Sequence, residues 1–162
     1  LFIFIKERRT MKLKLAFLAL TIVAAGGWFF MPEHSPLPRP KAPNFSITAG
    51  VELYDLPAEE TWVHFWASWC PPCVVEIPKL LKEFKEDKDK TLVLVSLDKS
   101  ENAMNAFLDK QPEDSLYSAH ILTTWDEGGQ IADLYQSYQY PETYILNEEF
   151  ELIRKIKGDA LK

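Results

Sequence analysis

Cysteine is scarce in this chain: two of 162 residues, both inside Trp69-Cys70-Pro71-Pro72-Cys73. A small domain stapled by disulfides needs more cysteines at wider spacing, so a structural disulfide framework is not expected. Histidine is equally thin. His34, His64 and His120 show no ligand spacing that would complete a four-coordinate zinc site with the cysteine pair, so neither a metal nor a bound cofactor is expected. Cation clusters are missing from the body: of the net charge of −6, residues 1–14 contribute +4 and the remainder −10. Phosphate binding needs clustered cations, which argues against nucleic acid as a partner. No internal repeat is visible.

What is present suffices for one ordinary domain with an appendage, since 47% of the residues are hydrophobic and can fill a core. Residues 15–31 (LAFLALTIVAAGGWFFM) carry no charged side chain. At about 1.5 Å per residue they span roughly 26 Å, enough for a thin bilayer. The basic residues 1–14 in front are expected to stay in the cytoplasm and send the body across. A cleaved signal peptide is the competing reading, with the small residues 23–25 as its site. Apolar character continuing through Phe30 favours an uncleaved anchor. No cysteine lies near this segment, which excludes a lipoprotein, and Met11 offers an alternative start.

Residues 32–43 hold five prolines and read as a semi-rigid spacer, leaving 44–162 as the folded domain. Short strands are expected near 45–47 and 51–56, then a buried strand over 61–67. A helix is expected from 71–73 to about 87, its apolar face formed by Val74, Ile77, Leu80, Leu81 and Phe84. The continuous apolar run in 91–98 predicts a strand covered on both sides, and Ser100 can cap a helix to about 110. Residues 112–119 read as loop and 120–124 as a short strand. A helix over 129–138 precedes a hairpin of 143–146 and 150–156. This order predicts an α/β sandwich with a mixed sheet.

A dithiol spaced C-x-x-C can close a small reversible disulfide, so exchange of electrons and protons between thiols and disulfides is the expected chemistry. The run from Val63 through Cys73 (VHFWASWCPPC) resembles the active-site strand and turn of the thioredoxin superfamily. Pro78 falls where that fold kinks its first long helix, and Tyr140-Pro141-Glu142-Thr143 resembles its cis-proline segment. The apolar N-terminal segment, Glu76 within CPPCVVEIP, and the additional helix before Pro141 are similar to the TlpA/ResA-type branch. The resemblance covers about residues 42–158. It implies a thioredoxin-like α/β/α sandwich with a mixed central sheet behind one transmembrane helix. It also implies an extracytoplasmic thiol–disulfide oxidoreductase of the bacterial inner membrane. The partners so implied are protein thiols and disulfides, such as apocytochrome c or copper-site assembly proteins, and an integral membrane electron donor.

Cys70 is the expected attacking sulfur, because a residue just before a helix meets unpaired N–H groups and the positive end of the dipole. Cys73, inside the first turn and more buried, would resolve the mixed disulfide. Pro71 and Pro72 stiffen the turn and remove N–H donors. In the resembled fold Pro141 is cis and faces the disulfide, Tyr140 offers backbone groups to an extended substrate, and Trp69 borders the sulfur as part of the docking surface. Glu76, one turn beyond Cys73, reads either as a partly buried proton carrier or as an ordinary glutamate near a helix start. His64 stands where thioredoxins carry a buried acid. It reads as a proton acceptor, as a cation stabilising a thiolate, or as a strand histidine satisfied by a carbonyl. Rival functions are a disulfide-forming oxidant and a copper- or zinc-binding assembly module using the cysteine pair. Only residues 158–162 follow the hairpin, so the closing helix of the resembled fold is expected to be missing or stunted.

Overall fold

A computed structural model describes residues 38–112, 116 and 118–162. The apolar segment 15–31, the basic residues before it and most of the proline-rich spacer lie outside the described residues. So does much of the loop expected over 112–119. Among the described residues no helix is long and apolar enough to cross a membrane.

A short hairpin, β1 (Ser46–Thr48) and β2 (Val51–Glu52), opens the domain. The longer strand expected over 51–56 stops early. Leu53–Asp55 turns into a 3-10 helix, closed by the Glu52 and Asp55 side chains accepting each other's backbone N–H. Five strands then form one sheet: β3 (Glu60–Trp66), β4 (Lys90–Ser96), β5 (Ile121–Trp125), β6 (Glu142–Asn147) and β7 (Leu152–Lys157), in the order β5-β4-β3-β6-β7. β3, β4 and β5 run parallel, while β6 and β7 are antiparallel additions. The sheet is therefore mixed, as expected.

The parallel strands are joined by crossover helices, as parallel pairing requires. α1 (Pro71–Glu86) links β3 to β4, and α2 (Glu101–Leu108) lies between β4 and β5. Ser100 caps α2 through its side chain, accepting the Ala103 N–H. α3 (Gln130–Tyr135) precedes β6. The side-chain period of two sorts each strand's residues to two layers. Trp62 and Trp66 of β3 and Leu92 and Leu94 of β4 pack with Ile77, Leu80, Leu81 and Phe84 of α1 and Met104 and Leu108 of α2. Val63, Phe65, Val93 and Val95 face Ala132 and Tyr135 of α3 and the β1–β2 region. A sheet covered on both faces explains why β3 and β4 are almost wholly buried.

The β6–β7 hairpin departs slightly from its expected bounds. Phe150 sits in the turn with φ 61°, not in the strand. Its N–H donates to the Asn147 carbonyl at 2.9 Å, and its buried ring stacks on Tyr54 at 4.9 Å, which holds a conformation unusual for a bulky residue.

Candidate active site

β3 is the central strand, and the chain leaves its C-terminal end through Ala67, Ser68 and Trp69 to start α1. Cys70 is the N-cap of that helix, with φ −93° and ψ 107°. Its N–H donates to the Ala67 carbonyl at 3.1 Å, and its carbonyl accepts the Val74 N–H at 3.2 Å. An N-cap side chain ordinarily accepts from the second or third helical N–H. Pro71 and Pro72 occupy the first two helical positions and have no N–H. Only the Cys73 amide remains in the first turn to face a thiolate at Cys70. Macrodipole and one donor stabilise that anion; the prolines withhold the rest.

Cys70 and Cys73 are joined as a disulfide with Cα atoms 5.2 Å apart. Cys70 keeps 4% of its surface exposed and Cys73 none. The opening at Cys70 is thus narrower than an exposed sulfur would imply, while Pro71 and Pro72 beside it are exposed. Trp69 is 56% exposed and meets Tyr140 edge to face, ring centroids 6.2 Å apart. The Tyr140–Pro141 peptide bond is cis, and Tyr140 packs against the core cluster that contains both cysteines. The structure therefore brings Trp69, Tyr140 and the cysteine turn together at one end of the sheet. Tyr138, just before this segment, is largely exposed.

His64 is fully buried on β3. It shares strand parity with Trp62 and Trp66 and so lies on the face covered by α1. Its Nδ1 is 2.8 Å from Thr143 Oγ1 on the paired strand β6, and Nε2 has no partner among the described residues. Burial pushes the imidazole down to about 3, so with the disulfide closed it is neutral near pH 7. With the disulfide closed, burial therefore leaves no cation at this position near pH 7. The expected backbone carbonyl partner is replaced by the Thr143 hydroxyl.

Glu76 takes the place on the buried face of α1 that the apolar pattern assigned to Val74, which is half-buried. The row Cys73, Glu76, Ile77, Leu80 follows the 3.6-residue period and carries the carboxyl inward. Glu76 is 2% exposed. Its Oε1 accepts the Ala160 N–H at 2.6 Å, and Oε2 has no partner among the described residues. Burial pushes the carboxyl up from its ordinary range, and Asp159 adds to this; the Ala160 N–H, Lys79 and Lys162 pull it back. Of the two readings of Glu76, an ordinary surface glutamate does not describe this position.

Asp98, just past the end of β4, is part of the site although the motif reading passed over it. It accepts the Ser68 N–H through both oxygens at 3.2 and 3.1 Å, the Ser68 hydroxyl at 2.6 Å and the Ser96 hydroxyl at 2.8 Å. It thereby clamps the residue two before Cys70. An open groove beside Trp69 is lined by Ser68, Asp98, Lys99 and Ala103. The available signal was the Ser-x-Asp at the C-terminal end of a buried parallel strand, where α/β sheets place their sites. Among the described residues no group of three or more His, Cys, Asp or Glu comes together to hold a metal ion.

Comparison with known proteins agrees with this geometry. The thiol–disulfide oxidoreductase ResA of Bacillus thuringiensis subsp. konkukian (strain 97-27) is 28% identical over 142 residues, which cover 84% of this chain and 78% of that protein. The thioredoxin-like protein YneN of Bacillus subtilis (strain 168) is 37% identical over 117 residues, 67% of this chain and 65% of that one. The solved thiol–disulfide oxidoreductase from Bacteroides fragilis NCTC 9343 superposes with a TM-score of 0.58 at 27% identity, covering 75% of this chain and 94% of that one. The model of the AhpC/TSA family matches residues 38–155. With a thioredoxin-like fold and the cysteine pair at its helix start, the chain belongs to the AhpC/TSA family and is a protein-disulfide oxidoreductase.

Proposed function

We propose that the chain is a membrane-tethered, extracytoplasmic reductant of partner-protein disulfides. The Cys70 thiolate attacks a partner disulfide; a Cys70–partner disulfide forms and one partner sulfur leaves as a thiolate. Glu76 as carboxylate accepts the Cys73 proton. The Cys73 thiolate then attacks Cys70 Sγ, the mixed disulfide breaks, and the second partner thiolate leaves. Two electrons have passed to the partner, and the Cys70–Cys73 disulfide remains. An integral membrane electron donor outside this chain restores the dithiol.

The observation that carries the reading is Cys70 at the N-cap of α1 with its first-turn donors reduced to one. A strong oxidant needs a heavily stabilised thiolate in its reduced form, and two prolines in the turn work against that. The basic-then-apolar order of residues 1–31 supports an anchor with the domain outside. Extended segments of apocytochrome c or copper-site assembly proteins suit a surface formed by Trp69, Pro71, Pro72 and Tyr140 beside Pro141.

Replacing the resolving thiol tests the mechanism. In a Cys73→Ser variant no thiol remains to resolve the mixed disulfide that Cys70 forms with a partner. Covalent complexes on non-reducing electrophoresis, absent from Cys70→Ser, are expected. A Cys73→Ser strain without such complexes contradicts the proposal.

A further inference from the structure

The segment after β7 reaches the site from outside every motif considered above. Gly158, with φ 85°, donates its N–H to the Pro141 carbonyl at 2.8 Å. Two residues on, the Ala160 N–H donates to Glu76 Oε1 at 2.6 Å. Ala160 is buried in the same cluster as both cysteines, and Asp159 lies 3.8 Å from Lys79 of α1 and 3.8 Å from Lys162. The segment is therefore fixed at one end on the cis-proline loop and at the other on a buried carboxyl of the cysteine helix.

We propose that residues 158–160 are a positioning latch, in which the Ala160 N–H orients the Glu76 carboxyl for proton exchange with Cys73 and ties that group to the Pro141 loop. This rests on the role given to Glu76 above. A buried carboxylate with one N–H donor and an unpartnered second oxygen depends heavily on that donor, because hydrogen bonds to charged groups are worth more than neutral ones. The charged groups bearing on Glu76 are Asp159, Lys79 and Lys162; His64, on the strand face that α1 covers, is neutral near pH 7.

The test is a titration of the Glu76 carboxyl by ¹³C NMR in the full chain, assigned by loss of the signal in Glu76→Gln. Ala160→Pro removes the N–H and is expected to raise the midpoint by about one pH unit or more. Ala160→Gly keeps the N–H and is expected to leave it in place. The Cys73 step is followed with 5,5′-dithiobis(2-nitrobenzoate), which loads Cys70 with thionitrobenzoate. The pH midpoint for release of the second thionitrobenzoate should move with the carboxyl in Ala160→Pro and stay put in Ala160→Gly.

An Ala160→Pro titration matching wild type overturns the latch, as does an Ala160→Gly shift of equal size. Movement of the carboxyl without movement of the release profile upholds the Glu76–Ala160 tie and overturns its role in the Cys73 step. Cys70 chemistry stands apart, since loading by the reagent does not involve the latch. Should Ala160→Pro fail to fold, the wild-type chain decides: the Ala160 amide resonance must titrate with the Glu76 midpoint, and an amide that ignores it overturns the proposal.

Discussion

His64 shows how one buried residue sets a pH dependence. Its folded value, about 3, lies below the unfolded value of about 6.5. As pH falls below 6.5 the unfolded chain binds a proton that the folded chain refuses, so stability drops toward pH 3 at up to about 1.4 kcal/mol per pH unit. Glu76 has the opposite sign. Its raised carboxyl contributes stability below the ordinary glutamate range and loses it as pH rises through the folded value. His64→Gln removes the first effect alone and keeps a polar group for Thr143. Its melting temperature is expected to fall less than that of wild type between pH 6 and pH 4. Parallel curves for the two proteins would show that His64 is not the group responsible.

At the scale of elements, the cysteine turn is held from two sides. α1 sets Cys70 at its N-cap, and the end of β4 supplies Asp98 to take the Ser68 N–H and the hydroxyls of Ser68 and Ser96. Asp98→Ala leaves these donors unpaired around a nearly buried position and is expected to cost roughly 2–4 kcal/mol in urea unfolding. Asp98→Asn retains an acceptor and should cost less. If Asp98→Ala unfolds at the wild-type urea concentration, the clamp is not a significant constraint.

For the whole molecule, the order of elements was legible because each strand and helix carries its own period. The continuous apolar run at β4 announced a doubly covered strand, and Ser100 announced the start of α2. The cysteine turn and Pro141 stood out as motifs. The remainder depends on contacts between distant residues. Glu76 sat in an otherwise apolar row, and a partner 84 positions away left no local trace at Ala160. Asp98 passed as a polar residue ending a strand, since its bonds to Ser68 bridge 30 positions. The fate of His64 turned on strand parity and on pairing with Thr143 across β6, which required the sheet order. The hairpin bounds shifted for a related reason: Phe150 leaves the strand to stack on Tyr54, far earlier in the chain.

One thiol that ionises readily at the end of a central strand is what every step above requires. The decisive measurement is the rate of iodoacetamide alkylation at Cys70 against pH, in the reduced protein with Cys73 replaced by serine. A midpoint clearly below the value of about 8.5 for a free thiol, with reaction near neutral pH faster than for a cysteine peptide, is the predicted result. A midpoint at or above that of the peptide, with no gain in rate at neutral pH, would contradict the account.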